Sequence, residues 1–349
     1  MYKKCNFEIG DRVIGETGPA FIIAEVGINH NGSLTLAKEC VKAAKDSGAD
    51  CVKFQLFHAD EFMSDVSVDY TYRSKGQTVV EDMKTMFKRV ELSLEDYKEI
   101  SSYAKELDII PLASAADPLT VDWVMETGGT VIKLASEDLI NWRLLDYVNK
   151  KKMSVILSSG MADEWEVKES INHLKNVPVI LCHCISVYPT PENEVNLRRM
   201  LSLRKYSQLV GFSDHTDGVL AAIGAVAMGA VLVEKHFTLD RNLPGPDHSM
   251  SADPGMLSEY IKAIRDMEVL LGGRGIMPSE TEKELRKQFR RSIVAKSDLP
   301  EGHVIALSDI AFKRPHIGIH PFNWKEVVGS KTKNAIRKDS IIKLLHLEM

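Results

Sequence analysis

The chain has 349 residues, 44% hydrophobic and 27% charged, with a formal net charge of -5, which leaves room for one large soluble domain and a smaller one. Its mild acidity argues against a nucleic-acid or anionic-membrane partner, since both call for clustered positive charge. No span approaches the length of a transmembrane helix, and the start "MYKKCNFEIGDR" is too polar for an export signal, so a cytoplasmic location is expected.

From residue 21 to about residue 273, short apolar runs alternate with helical patterns. The strand-like runs are "FIIAEVGIN" (21–29), "CVKFQLF" (51–57), "DIIPLASA" (108–115), "VIKLAS" (131–136), "SVILSSG" (154–160), "VILCHC" (179–184), "LVGFSDHT" (209–216) and "VLVEKHF" (231–237). Amphipathic stretches such as "LTLAKECVKAAKDSGA" (34–49) and "LEDYKEISSYAKEL" (94–107) lie between them. "DGVLAAIGAVAMGA" (217–230) is apolar nearly all round, as expected of a helix wedged between strands. Strands and helices alternating eightfold predict a closed (β/α)8 TIM barrel. The rival, a doubly wound open sheet, lacks a glycine-rich dinucleotide turn after its first strand.

The cysteines, at positions 5, 40, 51, 182 and 184, lack zinc-knuckle spacing and read as reduced structural thiols. Residues 277–290 read as a charged helical linker, and its basic run "KELRKQFRR" (283–291) as a solvated helix face. Residues 291–349 change character: short β-type runs broken by "PEG", "RPHIG" and "HPFN" predict a small β-rich domain of roughly sixty residues, whose marginal core a partner surface would help. The expected division is therefore a catalytic barrel over 1–276, with a short extension over 1–20, then the linker and the small domain.

Polar residues collect at the C-terminal ends of the predicted strands, the rim on which such barrels carry their active sites. They include Glu25, Lys53, Gln55, Ser114, Lys133, Ser136, Ser158, Ser213, His215, Glu234 and His236. Strand alternation puts Lys53 with Gln55, Ser213 with His215, and Glu234 with His236 on common faces. Wet strand ends explain any one of these residues. They explain the ensemble poorly, because a lysine inside an apolar strand is costly unless it meets an anion. His215 and His236 on neighbouring strand ends suit one ion of manganese, iron, cobalt or zinc with open positions. Lys53 and Lys133 among serine hydroxyls suit a small dianion such as a phosphate ester bearing a carboxylate. Private pairing of each lysine with Glu25 or Asp138, or a Schiff base at either lysine, are the alternatives. "NLPGPDHSMS" (242–251) forms a rigid loop past the last strand that fixes Asp247 and His248 over the rim.

Taken together, "AEVGINHNGS" (24–33), "VKFQ" (52–55), "IKLAS" (132–136), "LSSGM" (157–161), "YPTP" (188–191), "GFSDHT" (211–216), "EKHFT" (234–238) and "PGPDHSMS" (244–251) resemble the sialic acid synthases. The segment with "FKRP" (312–315) is similar to that family's antifreeze-like (SAF) domain, so the resemblance covers nearly the whole chain. It implies condensation of phosphoenolpyruvate with the open-chain aldehyde of an N-acetylmannosamine-type sugar, with release of phosphate by C–O cleavage. His215 and His236 then match the ligands of a divalent metal, manganese or alternatively magnesium or cobalt. Lys53, Lys133, Ser136, Ser158 and Ser213 match positions that hold phosphoenolpyruvate. Gln55, Tyr188 and Asp247 match the sugar side, and Glu25 matches a carboxylate that manages protons. Arg314 matches an arginine delivered by a partner subunit, which implies a domain-swapped homodimer.

Three departures bear on the sugar. "SAAD" (114–117) stands where many members have "STPF", so Ser114 keeps a hydroxyl but Ala115 and Ala116 lose bulk. "KLASED" (133–138) replaces "KIGSGE", which leaves Asp138 in the place of the family's glutamate, and "KRPHIGIH" replaces the usual "KRPG" turn. The product is thereby left open among neuraminate, legionaminate and pseudaminate. Outside this class stand a metal-independent aldolase using Lys133 and a non-catalytic carbohydrate-binding protein.

Overall fold

A strand buried at every position needs cover on both faces, and Phe21–Gly27 is buried along its whole length. The computed structural model, which describes residues 7–273 and 275–348, supplies that cover. Phe21–Gly27, Cys51–Leu56, Ile110–Ala115, Val131–Leu134, Ser154–Ser158, Val179–His183, Leu209–Asp214 and Leu232–His236 close, in chain order, into a parallel barrel. The last strand pairs with the first, from Leu232 opposite Phe21 to His236 opposite Glu25. This is the predicted (β/α)8 barrel, with every strand limit within two residues of the expected one.

The two faces of each strand enter different cores. Outward residues such as Ile22, Ala24, Val52, Phe54, Val155 and Val233 pack beneath the helices. Inward residues Ile23, Cys51, Leu112, Ile156, Ile180, Cys182 and Leu232 fill the lower barrel. A hairpin of Phe7–Ile9 and Arg12–Ile14 closes the bottom, with Phe7, Ile9 and Ile14 joining that inner core. The hairpin was not foreseen: the predicted N-terminal extension carries structure of its own.

Local chemistry sets the helices. Leu34–Asp46 starts at Ser33, whose hydroxyl accepts from Leu36 N, and buries Ala37, Cys40, Val41 and Ala44, one face at helical spacing. The helix predicted over 217–230 is confined to Leu220–Ala227. Gly218 and Gly229, at φ 75° and 89°, bound it, and it is not wedged between strands. It packs on the barrel's outside through Ala222, Ala225 and Val226 and leaves Leu220 exposed.

The connection from the second strand is longer than a plain crossover. It holds a hairpin, Asp69–Ser74 with Gln77–Asp82, that the sequence reading passed over. Its Lys75-Gly76 turn has both φ positive, at 51° and 75°, the geometry that two-residue hairpins favour. Ser74 Oγ accepts from Gly245 N at 3.2 Å, and Ser249 Oγ donates to Arg73 O at 3.2 Å. The hairpin thus braces the Pro-Gly-Pro loop at the rim.

The chain divides into two units between Gly272 and Gly273. In the second unit, Ser279 and Glu282 form a capping box that starts the helix Glu280–Phe289, which buries none of its residues. Ser292–Ala295 pairs with Ile310–Lys313, and Lys331–Thr332 with Leu347–Glu348. Ile293, Leu299, Ile305, Val327 and Ile342 lie in their shared core. Cys40, Cys51, Cys182 and Cys184 are buried free thiols, whereas Cys5 lies outside the described residues.

Candidate active site at the barrel rim

Climbing each inward row, the side chains change from apolar to polar at the same height. Ile23 gives way to Glu25, Cys51 to Lys53, Leu112 to Ser114, Val131 to Lys133, Ile156 to Ser158, and Leu232 to Glu234 and His236. Register holds the ring together: Glu25 lies beside Lys53, Gln55 beside Ser114, Ser114 beside Lys133, and Ser213 beside Glu234.

The centre of the ring is a charge quartet. Lys53 Nζ stands 2.7 Å from Glu25 Oε2 and 3.7 Å from Glu234 Oε2, and Lys133 Nζ stands 3.5 Å from Glu234 Oε1. All four side chains are buried. Lys133 also donates to Ser158 Oγ at 2.8 Å, Ser158 and Ser213 hydroxyls are 3.5 Å apart, and Gln55 Nε2 donates to Glu25 Oε1 at 3.1 Å. Private pairing of the lysines was the sequence alternative, with Asp138 as one partner. The structure pairs Lys133 with Glu234 instead, while Asp138 Oδ1 accepts from Asn141 Nδ2 at 3.2 Å. Glu234, not among the expected substrate or metal residues, bridges both ammoniums. The signal that could have found it was its inward parity with His236.

Burial raises carboxyl pKa values, but Lys133 and Lys53 overcome it at Glu234 and hold that group at about 2. At Glu25 burial wins over Lys53, with help from the negative Glu234, and the carboxyl is raised. Burial would lower Lys133, yet Glu234 prevails and keeps the ammonium above its ordinary value. Asp138 is pushed up to about 7 by burial, and half-buried Asp247 to about 7 by its own desolvation and Glu25.

Gly27 and Gly160 show how closely the backbone approaches this ring. Gly27 takes φ 57°, and a Cβ there would stand 3.1 Å from Gln55 Nε2 and 3.2 Å from Glu25 Oε1. A Cβ on Gly160 would stand 2.6 Å from Ser136 Oγ and 3.0 Å from Cys184 Sγ. With the hydrogen entirely in place of a side chain, Gly160 N donates to Ser136 Oγ at 3.2 Å. Ser136 thus reaches the rim through the loop after the fourth strand.

The two histidines face each other with ring centroids 5.6 Å apart. Tyr188, roughly half exposed, lies 4.2 Å from the His215 ring and edge-on to His236 at 5.8 Å. His215 Nδ1 donates to Ile185 O at 2.7 Å, which leaves its Nε2 with a free lone pair. His236 Nδ1, though buried, has no hydrogen-bond partner. Burial lowers His215 to about 4 and, with His215 beside it, lowers His236 as well, so both rings are neutral near pH 7. Neutral imidazoles with unclaimed nitrogens fit a divalent ion. Among the described residues no group of three or more His, Cys, Asp and Glu is arranged to hold one, so a centre here rests on two protein ligands. Arg314 belongs to the second unit, where its guanidinium lies over the Phe289 ring at 5.2 Å.

Within "SAAD", Asp117 has a structural role and Ala115 faces away from the barrel interior. Asp117 caps the helix Pro118–Glu126, accepting from Thr120 N at 2.9 Å, and meets His58 Nδ1 at 3.2 Å. Ala115 belongs to the outer core beneath the helices.

Comparison with known proteins matches a NeuB family model to residues 40–275 and a SAF domain model to residues 290–348. An uncharacterized protein of Methanocaldococcus jannaschii is 41% identical over 97% of both chains. The N,N'-diacetyllegionaminic acid synthase of Legionella pneumophila is 38% identical over 96% of both. Among solved structures, an N-acetylneuraminic acid (sialic acid) synthetase from Leptospira borgpetersenii, in complex with citrate, superposes with a TM-score of 0.72 at 31% identity. That match covers 80% of this chain and 94% of the other.

Proposed function

The chain belongs to the NeuB family and carries a SAF domain, and from that premise we propose that it is a nonulosonate synthase joining phosphoenolpyruvate to an N-acetylated amino sugar. The observation that carries the reading is the buried Lys53–Glu25–Glu234–Lys133 quartet. Two ammoniums held inside a barrel with exchangeable carboxylate partners form a socket for a compact anion.

Lys53 and Lys133, with the hydroxyls of Ser136, Ser158 and Ser213, take the phosphate and carboxylate of phosphoenolpyruvate. Gly160, where no side chain would fit, lets the backbone come close enough for its N–H to hold the Ser136 hydroxyl at the rim. Gln55, Ser114, Tyr188 and Asp247 orient the sugar so that its aldehyde carbon meets C3 of phosphoenolpyruvate. His215 and His236 would hold a divalent ion, manganese or alternatively magnesium or cobalt, which would supply positive charge to polarise the aldehyde oxygen. As the new C–C bond forms, the aldehyde C=O pair moves onto its oxygen and C2 becomes cationic; water adds to C2, one of its protons completing the new hydroxyl on the former aldehyde oxygen. The C2–O bond to phosphate then breaks, leaving a 2-keto acid and inorganic phosphate. Glu25, raised by burial, is suited to take the proton from that water at its carboxylate and return it to the departing phosphate. Asp138, also raised, is a second carboxyl at the rim for proton transfer. Arg314 serves the sugar's N-acetyl group of a partner subunit in a domain-swapped homodimer.

The metal-independent aldolase reading is disfavoured at Lys133, whose ammonium pairs with Glu234 at 3.5 Å and is held above its ordinary value by that carboxylate, whereas Schiff-base formation needs a free amine. No described helix is long and apolar enough to cross a membrane.

The test is phosphate release from phosphoenolpyruvate with N-acetylmannosamine and with its 2,4-diacetamido-6-deoxy analogue, each with manganese or EDTA. The analogue is the first choice, because the Legionella relative named for the diacetyl product is 38% identical. Metal-dependent release with either sugar supports the synthase. Silence with both, in folded protein, moves the assignment to a carbohydrate-binding protein.

A further inference from the structure

Behind the two histidines, on the outer face of the same strands, lies a buried polar cluster that touches no substrate position. Asp214 and Lys235 are register partners on the seventh and eighth strands, each one residue before a histidine, and their Nζ–Oδ2 distance is 3.3 Å. Asp214 Oδ2 also accepts from Tyr260 OH at 2.9 Å, the hydroxyl coming from the helix Pro254–Leu271. Asp214 Oδ1 accepts from Thr216 N at 2.8 Å and from Thr216 Oγ1 at 2.7 Å. Lys235 Nζ donates to Thr216 O and stands 5.4 Å from the Tyr260 ring centroid. Asp214, Thr216, Lys235 and Tyr260 are all buried.

The geometry makes His215 the crown of an arch pinned on both sides, by Asp214 before it and Thr216 after it. Thr190 N fastens the crown itself, donating to His215 O at 2.8 Å. The same Lys235 that ties down the arch adjoins His236, whose ring Nδ1 has no hydrogen bond of its own. The His236 ring is therefore set by its packing against Tyr188 and His215 and by its backbone, which is anchored through the neighbouring Lys235.

We infer that Asp214, Lys235 and Tyr260 are positioning residues that fix the spacing of His215 and His236 from behind the sheet. An ion pair buried only for stability is replaceable by apolar packing without loss. This one joins the two strand ends at the point where their separation decides whether two imidazoles can share an ion. The inference rests on the reading of His215 and His236 as a metal-holding pair.

The full-length protein tests it through direct titration of Mn2+ binding, following free Mn2+ by electron paramagnetic resonance, with thermal unfolding in parallel. The proteins are wild type, Lys235→Met, Tyr260→Phe and His215→Ala. Partners that orient metal ligands from behind typically alter affinity 10- to 100-fold. Lys235→Met is expected in that range, and Tyr260→Phe, which removes one hydrogen bond and keeps the ring, a few-fold weaker than wild type. Tyr260→Phe keeps the question answerable if Lys235→Met does not fold. Wild-type Mn2+ affinity in folded Tyr260→Phe and Lys235→Met, whatever their unfolding temperatures, overturns the inference while leaving the metal pair standing. Equal Mn2+ binding by wild type and His215→Ala overturns the metal pair, and the inference with it.

Discussion

Replacing Glu234 with glutamine keeps the shape of the quartet and removes one negative charge. In the substrate-free site Glu234 neutralises Lys133 at 3.5 Å and Lys53 at 3.7 Å. At an effective dielectric constant of about 20 each contact is worth roughly 4–5 kcal/mol before desolvation. Losing one partner of a buried pair costs about 3–5 kcal/mol net. Lys133 retains Ser158 and Lys53 retains Glu25, so the loss belongs at the lower end, about 3 kcal/mol of folding stability. Anion binding should move the other way. Wild-type lysines meet an incoming phosphate with Glu234 still beside them, whereas in Glu234→Gln that repulsion is gone. Relief of about 1.4 kcal/mol corresponds to tenfold tighter phosphate binding. Thermal unfolding and calorimetric titration with inorganic phosphate measure both effects. Weaker or unchanged phosphate binding in folded Glu234→Gln would refute the claim that the quartet is an anion socket held shut by its own carboxylates.

Asp138 and Asp247, both raised to about 7 from an ordinary value of 3.8, keep protons in the folded state that the unfolded chain releases. Their stabilising contribution is full below about pH 4 and is lost as pH rises through 7, at most about 1.4 kcal/mol per pH unit for each group. Asp138→Asn should flatten the fall in unfolding temperature between pH 5 and 7, and an unchanged slope counts against the assignment. Glu234, depressed to about 2, acts oppositely: its contribution is present above pH 4.5 and disappears toward pH 2. Gly160→Ala places a methyl against Ser186, Ser136 and Cys184, and overpacking predicts a loss of about 1–3 kcal/mol of folding stability, read as a lowered unfolding temperature; an unchanged unfolding temperature counts against the close approach. Borohydride with phosphoenolpyruvate or pyruvate should leave Lys133 unmodified by mass spectrometry, because Glu234 holds its ammonium protonated.

Much of this site was visible in the residue order because its physics is periodic. Alternation sends Lys53, Lys133, Glu234 and His236 to the face shared with the apolar interior, and barrel geometry then brings their ends to one rim. Partner choice was not visible. Asp138 and Glu234 are both candidate carboxylates for Lys133, but Asp138 lies in the short helical turn Glu137–Ile140 and accepts from Asn141, whereas Glu234 enters the barrel interior opposite Lys133. The hairpin over residues 69–82 was hidden for another reason. Its strand Asp69–Ser74 alternates exposed Asp69, Thr71 and Arg73 with the more buried Tyr70, Tyr72 and Ser74, a signal carried by only two tyrosines and so overshadowed by the fully apolar barrel strands, and the Lys75-Gly76 turn was the other local sign. The helix expected between strands was misplaced because alanine is apolar enough to read as buried on every side, while its exposed Leu220 shows that one side is open.

The seam between Leu232–His236 and Phe21–Gly27 has a consequence for how the molecule comes into being. Its edges lie about two hundred residues apart in the chain, a long loop to close and a late event in folding. Glu25 and Glu234 sit on opposite sides of that seam, and Lys53 touches both. Before closure the lysines of the middle strands lack one of their counter-charges, so the anion socket is completed only when the last strand docks. A slip of one residue at the seam would turn Glu234 away from the lumen and bring Lys235 in, placing a third ammonium against the other two. The charge quartet would therefore also favour the correct register at the closure of the barrel.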